Sequence, residues 1–202
     1  MTKLRVGVLI SGRGSNLGAL IQACAGDNFP AEIALVISNV ADAGGLKHAK
    51  EARIPAIVIA HGNFSSREAF DNEMDAALNN AGVEFVCLAG FMRLLSTPFV
   101  KKWQGKMMNI HPSLLPAFKG LDVHEQALAA GVRISGCTVH YVVPELDAGP
   151  PILQAAVPVE PLDNAGTLAA RVLEAEHRIY PEALRMVAEN RVRLENGRAV
   201  FA

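Results

Sequence analysis

The strongest constraint on this chain is a recurrence. Short, predominantly apolar runs stand at residues 4–10, 33–37, 56–59, 85–88 and 107–110, and helix-like segments at 16–24, 45–52, 66–78 and 98–103 lie between them. A strand that is apolar on both faces has to be covered on both sides, which is the situation of a parallel sheet between layers of helix. The alternation predicts an α/β fold: an open, mostly parallel twisted sheet, Rossmann-like, with helices on both faces.

The rhythm changes after Pro116. A short helix is expected at 124–130, and two apolar segments, 136–143 and 152–157, follow with a loop rather than a helix between them. Strands joined in that way are antiparallel additions to a sheet. A long helix is expected over 164–190, interrupted or bent at Pro181, with Leu168, Val172, Ile179, Leu184 and Val187 as packing residues. A last hairpin, 192–194 with 199–201, turns through Asn196-Gly197, where positive φ is easily adopted. With 202 residues and no repeat or linker, one domain over 1–202 is expected.

Half of the residues are apolar, 19% are charged and the formal net charge is -1, so neither disorder nor attraction to nucleic acid is indicated. The opening run is far shorter than a membrane span, and no signal-peptide cleavage pattern follows it. A cytoplasmic protein with small-molecule partners, as a monomer or homodimer, is the expectation. Cys24, Cys87 and Cys137 lie far apart among apolar or small neighbours and read as reduced core residues.

Two places carry chemistry. Ser11-Gly12-Arg13-Gly14-Ser15-Asn16-Leu17 lies between the first strand and its helix, where free backbone N–H groups and the positive helix end favour a phosphate. A dinucleotide fingerprint would place a third glycine where Leu17 stands and an acid at the end of the second strand, where Ser38-Asn39 stands. The plainer alternative is a tight turn with Ser15 or Asn16 as the helix cap. At Asn109-Ile110-His111-Pro112 an amide and an imidazole, two residues apart and so on one face, close a central strand at the edge where open α/β sheets bind ligands.

Four motifs in order, the glycine loop, Leu88-Ala89-Gly90-Phe91-Met92-Arg93, Asn109-Ile110-His111-Pro112-Ser113-Leu114-Leu115-Pro116 and Glu145-Leu146-Asp147-Ala148-Gly149-Pro150, resemble the folate-dependent glycinamide ribonucleotide formyltransferase family along nearly the whole chain. The resemblance implies transfer of a formyl group from 10-formyltetrahydrofolate, a co-substrate, to the primary amine of glycinamide ribonucleotide in purine biosynthesis. It also implies a catalytic trio of Asn109, His111 and Asp147, with Gly14, Ser15 and Asn16 holding the ribonucleotide phosphate and Glu176 its ribose. The folate is implied to lie against Arg67, Met92, Arg93, Leu94, Leu95, Asn109, Val143, Pro144, Glu145, Leu146 and Asp147. Residues 1–110 then form the phosphate-binding half, and 111–202 the folate-binding and C-terminal half.

The residue types suit the chemistry. Attack of an amine on a formyl carbon builds negative charge on oxygen, which the Asn109 amide and a protonated His111 can stabilise. Asp147 behind His111 is expected to raise its pKa and keep it cationic. No metal is expected, although Asp122, His124 and His140 could be gathered with His111 into a metal site. Some family members carry His where this chain has Asp122. Glu176 could equally be an outward-facing helix residue, Arg67 and Arg93 solvated cations, and Phe91 and Met92 core residues. Two other functions stay open: a formyltetrahydrofolate hydrolase, which shares the trio and delivers formyl to water, and a non-catalytic nucleotide- or folate-binding module. Methionyl-tRNA formyltransferases share the trio too, with an RNA-binding C-terminal domain for which nothing after Phe201 is long or basic enough.

Overall fold

Each apolar run of the first half forms a strand. In the computed structural model, which describes residues 2–202, the strands β1 (Leu4–Ile10), β2 (Ala31–Ser38), β3 (Ala56–Val58), β4 (Phe85–Leu88) and β5 (Met107–His111) alternate with helices. These are α1 (Ser15–Cys24), α2 (Gly45–Glu51), α3 (Arg67–Asn80) and α4 (Thr97–Lys102), with a short 3-10 turn at His61–Asn63. The strands lie side by side in the order β3-β2-β1-β4-β5, all parallel. The direction of winding reverses between β1 and β4, so the carboxyl ends of these neighbours diverge into the crevice in which open sheets receive ligands.

The second half adds the antiparallel part. After α5 (Val123–Ala129), β6 (Ile134–Tyr141) pairs antiparallel with β5, and β7 (Pro151–Pro158) pairs antiparallel with β6, completing a seven-stranded mixed sheet. Helix α6 (Ala165–Ala188) packs on α1, β6 and β7, and β8 (Val192–Glu195) with β9 (Arg198–Phe201) forms the hairpin read from Asn196-Gly197.

Alternation along β1 sends Val6, Val8 and Ile10 to one core, with Leu17, Leu20, Leu168, Val172, Ile179 and Leu184, and Leu9 to the other, with Phe70, Met74, Leu78, Phe99 and Trp103. Each fully buried aliphatic side chain contributes about 1.5–3 kcal/mol, so both helical layers are held by what the strand alternation presents to them. Gly7 faces the second core, where a Cβ would stand 2.5 Å from the Leu78 side chain, so α3 lies closer to β1 than any larger residue permits.

Of the two outcomes expected at Pro181, interruption does not occur: the proline lies inside α6, and the helix runs from Ala165 to Ala188. A proline in mid-helix costs about 3 kcal/mol through a lost hydrogen bond and a ring clash. Buried residues on both sides of it, Ile179 and Tyr180 before, Ala183 and Leu184 after, pin the two halves to one core and offset that cost. The Asn164–Thr167 capping box fixes the start of the helix.

Candidate active site

Strand β5 delivers Asn109 and His111 to the carboxyl edge of the sheet, and the antiparallel register sets His140 opposite Asn109 and Thr138 opposite His111. His140 Nδ1 lies 2.9 Å from the Tyr141 carbonyl, so that nitrogen carries the proton and donates. Its Nε2 is then the acceptor for the Asn109 Nδ2–H at 3.2 Å, which turns the amide of Asn109 one way round. Burial lowers the His140 pKa, opposed by its bond to the Tyr141 carbonyl and by the charge of Asp147, so the neutral ring that this arrangement needs is the favoured one.

His111 stands between two acceptors. Its Nε2 lies 2.9 Å from the Phe118 carbonyl and its Nδ1 3.5 Å from Asp147 Oδ2. Neither partner can donate when Asp147 is ionised, so the doubly protonated ring satisfies both. Asp147 is itself held by the backbone, since Oδ2 accepts from Gly120 N–H at 2.9 Å. The side chains of His111 and Asp147 are 6% and 8% exposed, so their attraction acts largely out of water. The loops that supply these groups hold three non-glycine residues at positive φ: Phe118 (53°), Asp122 (53°) and Asp147 (47°). Such backbone costs about 1 kcal/mol or more per residue and collects where surrounding contacts dictate a geometry.

The glycine loop follows β1. Neither Ser15 nor Asn16 caps α1, contrary to the plainer expectation; Gly14 occupies the cap position at φ 76° with no side-chain hydrogen bond, which leaves first-turn N–H groups free for a ligand. The loop is backed by α2, where Gly45 N–H donates to the Gly12 carbonyl at 3.0 Å. A Cβ on Gly14 would lie 2.3 Å from Gly45 Cα, so both glycines are required by a close approach of backbones. Asn16 turns inward, and its Nδ2 donates to Glu176 Oε2 at 2.7 Å, tying the loop to α6.

The loop after β4 is fastened to the same place. Ser11 Oγ accepts from Met92 N–H at 2.8 Å and donates to Asn39 Oδ1 at 2.6 Å. Met92, Leu94, Leu121 and Leu146 expose apolar side chains on the loops after β4, β5 and β6. Arg93 lies over the Phe70 ring at 5.2 Å, Leu95 is half-buried against the second core, and Val143, Pro144 and Glu145 run half-buried to exposed towards Asp147. Arg67 is exposed in the first turn of α3, whose cap Ser66 accepts from Ala69 N–H.

A formyl transferase family model matches residues 4–184. The phosphoribosylglycinamide formyltransferase of Escherichia coli (strain K12) is 44% identical over 97% of this chain and 92% of its own length. The chain belongs to the phosphoribosylglycinamide formyltransferase family. A crystal structure of glycinamide ribonucleotide transformylase 1 from Symbiobacterium toebii matches with a TM-score of 0.96 and 47% identity, covering 98% of this chain and 94% of that one. The Bos taurus trifunctional purine biosynthetic protein adenosine-3 is 56% identical over 97% of this chain, which spans only 20% of that protein's length.

Within this formyltransferase fold two groups emerge that sequence reasoning missed. The sequence offers His140 only as a candidate metal ligand, and among the described residues no group of three or more His, Cys, Asp or Glu side chains is arranged to hold a metal. The signal for its position was Thr138 and His140, two polar residues at strand spacing in an apolar run. Ser11, placed in the glycine loop, carried no signal for its bond to Met92. Among the described residues no helix is long and apolar enough to cross a membrane.

Glu176 is not an outward residue. It is 6% exposed, and burial pushes its carboxyl from 4.5 up to about 7, opposed by the Asn16 hydrogen bond. The folded state therefore binds a proton more tightly than the unfolded chain between those pH values, and stability falls as pH rises through the window. Glu176→Gln is expected to match the parent in urea unfolding at pH 4.5 and to exceed it at pH 8, by about 3 kcal/mol at most. Parallel pH profiles of the two proteins would show that ionisation of Glu176 costs nothing.

Proposed function

We propose that this chain transfers the formyl group of 10-formyltetrahydrofolate to the primary amine of glycinamide ribonucleotide, in purine biosynthesis. The observation that carries the reading is the meeting of Asn109, His111 and Asp147 at the edge of one sheet, 3.5 Å separating His111 Nδ1 from the carboxylate. The glycine loop with Gly14, Ser15 and Asn16 takes the phosphate, and Glu176 on α6 faces the ribose. The apolar rim of Met92, Leu94 and Leu146, with Leu95, Val143, Pro144 and Glu145, receives the folate ring, and Arg67 and Arg93 its acidic tail.

The amine nitrogen attacks the formyl carbon, a C–N bond forms, and the carbonyl π pair moves to oxygen. The free N–H of Asn109 donates to that oxygen, and the imidazolium of His111, whose own N–H groups face the Phe118 carbonyl and Asp147, stabilises it by its positive charge, with Asp147 balancing that charge. Collapse of the adduct re-forms the carbonyl and breaks the bond to the folate nitrogen. The proton lost by the attacking nitrogen travels to the departing one through His111 or water ordered by Asp147. His140 keeps the Asn109 amide turned so that its nitrogen faces the reaction.

Incubating the protein with glycinamide ribonucleotide and 10-formyltetrahydrofolate is expected to release the deformylated folate only when the amine is present. Release without the amine would make the chain a hydrolase, and no release at all a binding module.

A further inference from the structure

We propose that Asp71 is a positioning residue that sets the 91–96 loop, and Arg93 within it, for the acidic tail of the folate. The inference rests on the proposed formyl transfer and adds to it a residue outside the trio and outside the rim.

Asp71 is 1% exposed, and no Lys, Arg or His lies within ion-pair distance of it among the described residues. A buried carboxylate without a cation is costly to keep, and for stability alone an apolar residue would serve better. Its hydrogen bond is to the loop: Oδ2 accepts from Ser96 N–H at 2.6 Å, while Oδ1 is buried with no partner among the described residues. Ser96 is the cap residue before α4, where a backbone N–H has no acceptor within the helix, so Asp71 supplies one from a different element.

The neighbouring residue acts on the same loop. Phe70 is fully buried, and its ring carries the Arg93 guanidinium at 5.2 Å. Arg67, Phe70 and Asp71 follow the three- and four-residue spacing that puts helix positions on one side of α3. One helix face thus offers an exposed cation, a ring under a second cation, and an acceptor for the loop that bears it. At its other end the loop is held by Ser11 through Met92 N–H. Arg93 has no ion-pair partner among the described residues, and a guanidinium held in one place is suited to bidentate contact with a carboxylate. Moving the Ser96 anchor moves the Arg93 fork, and a folate without a tail registers the change only through the apolar side chains of the same loop.

The test compares steady-state kinetics with 10-formyltetrahydrofolate and with 10-formyltetrahydropteroate, which lacks the glutamate. Asp71→Ala is expected to raise KM for the full folate about tenfold, and for the truncated one by a distinctly smaller factor of about threefold, with KM for the ribonucleotide and kcat little changed. Asp71→Asn keeps an oxygen acceptor and is expected to restore most of the lost affinity. Phe70→Leu, which keeps an apolar core residue and removes the ring beneath Arg93, is expected to show the same dependence on the tail. Equal increases for the two folates, increases shared by the ribonucleotide, or no rescue by Asn would each overturn the proposal. Absence of amine-dependent transfer by the unaltered protein would instead sink the formyl-transfer reading.

Discussion

Asp147→Asn is expected to lower kcat for formyl transfer by about a thousandfold and to leave the fold intact. The substitution keeps an oxygen for Gly120 N–H, whose 2.9 Å bond holds the loop, and changes little in volume. It removes the negative charge 3.5 Å from His111 Nδ1. Without that charge an imidazolium in a site this buried loses its compensation, and the neutral ring already commits its proton to the Phe118 carbonyl at Nε2. What is lost is a positive charge beside the reacting oxygen, an effect of the size seen when a single stabilising group is removed from such a site, about a hundred- to a thousandfold. The loss should fall on kcat, because an interaction made only as charge develops leaves substrate binding untouched. Turnover within about tenfold of the parent, in a protein with an unchanged unfolding midpoint, would remove Asp147 from the mechanism.

The sheet was legible in the chain because buried parallel strands leave a signature that no neighbouring element can mask. The five runs of the first half, the two antiparallel segments and the final hairpin all became strands, with ends shifted by no more than a few residues. At Pro181 local geometry allows a break, and the single core gripped by Tyr180 and Leu184 keeps the helix continuous. The side-chain cap offered as the alternative at α1 is absent for a similar reason. Ser15 and Asn16 are good caps in isolation, but Asn16 has a stronger claim on it, a carboxyl on α6 that lies 160 residues away in the chain.

The same separation explains what was missing from the site. Asn109 and His111 are visible because they share a strand end, and Asp147 because family likeness marks it. The roles of His140, Ser11 and Asp71 depend on pairings across strands and between a helix and a loop. Strand register turns His140 from an isolated histidine into the residue that orients Asn109, and register cannot be read from either strand alone. Ser11 and Asp71 bond to backbone N–H groups of Met92 and Ser96, donors that every residue has and that leave no trace in side-chain identity.

Gly149→Ala is expected to cost several kcal/mol of stability and to reduce formyl transfer more than a hundredfold. Gly149 closes the loop that carries Asp147, and a Cβ there would stand 1.7 Å from the Tyr141 carbonyl oxygen and 3.3 Å from His140 Nδ1. A carbonyl in a paired strand cannot swing aside as the tip of a side chain can, so the loop must move. Tyr141 is also fastened to the far side of that loop, through its N–H to the Pro150 carbonyl at 3.1 Å. The same Tyr141 carbonyl holds the proton of His140, at 2.9 Å. One added methyl therefore displaces Asp147 from His111 and disturbs the His140 tautomer on which the direction of the Asn109 amide depends. Gly62→Ala is the matched control, because a Cβ at that position meets nothing within 4 Å. Urea unfolding and initial rates, taken on both variants, distinguish a steric wedge from a general intolerance of alanine. If Gly149→Ala proved as stable and as active as Gly62→Ala, the close contact between this loop and the end of β6 would not be what holds the trio together.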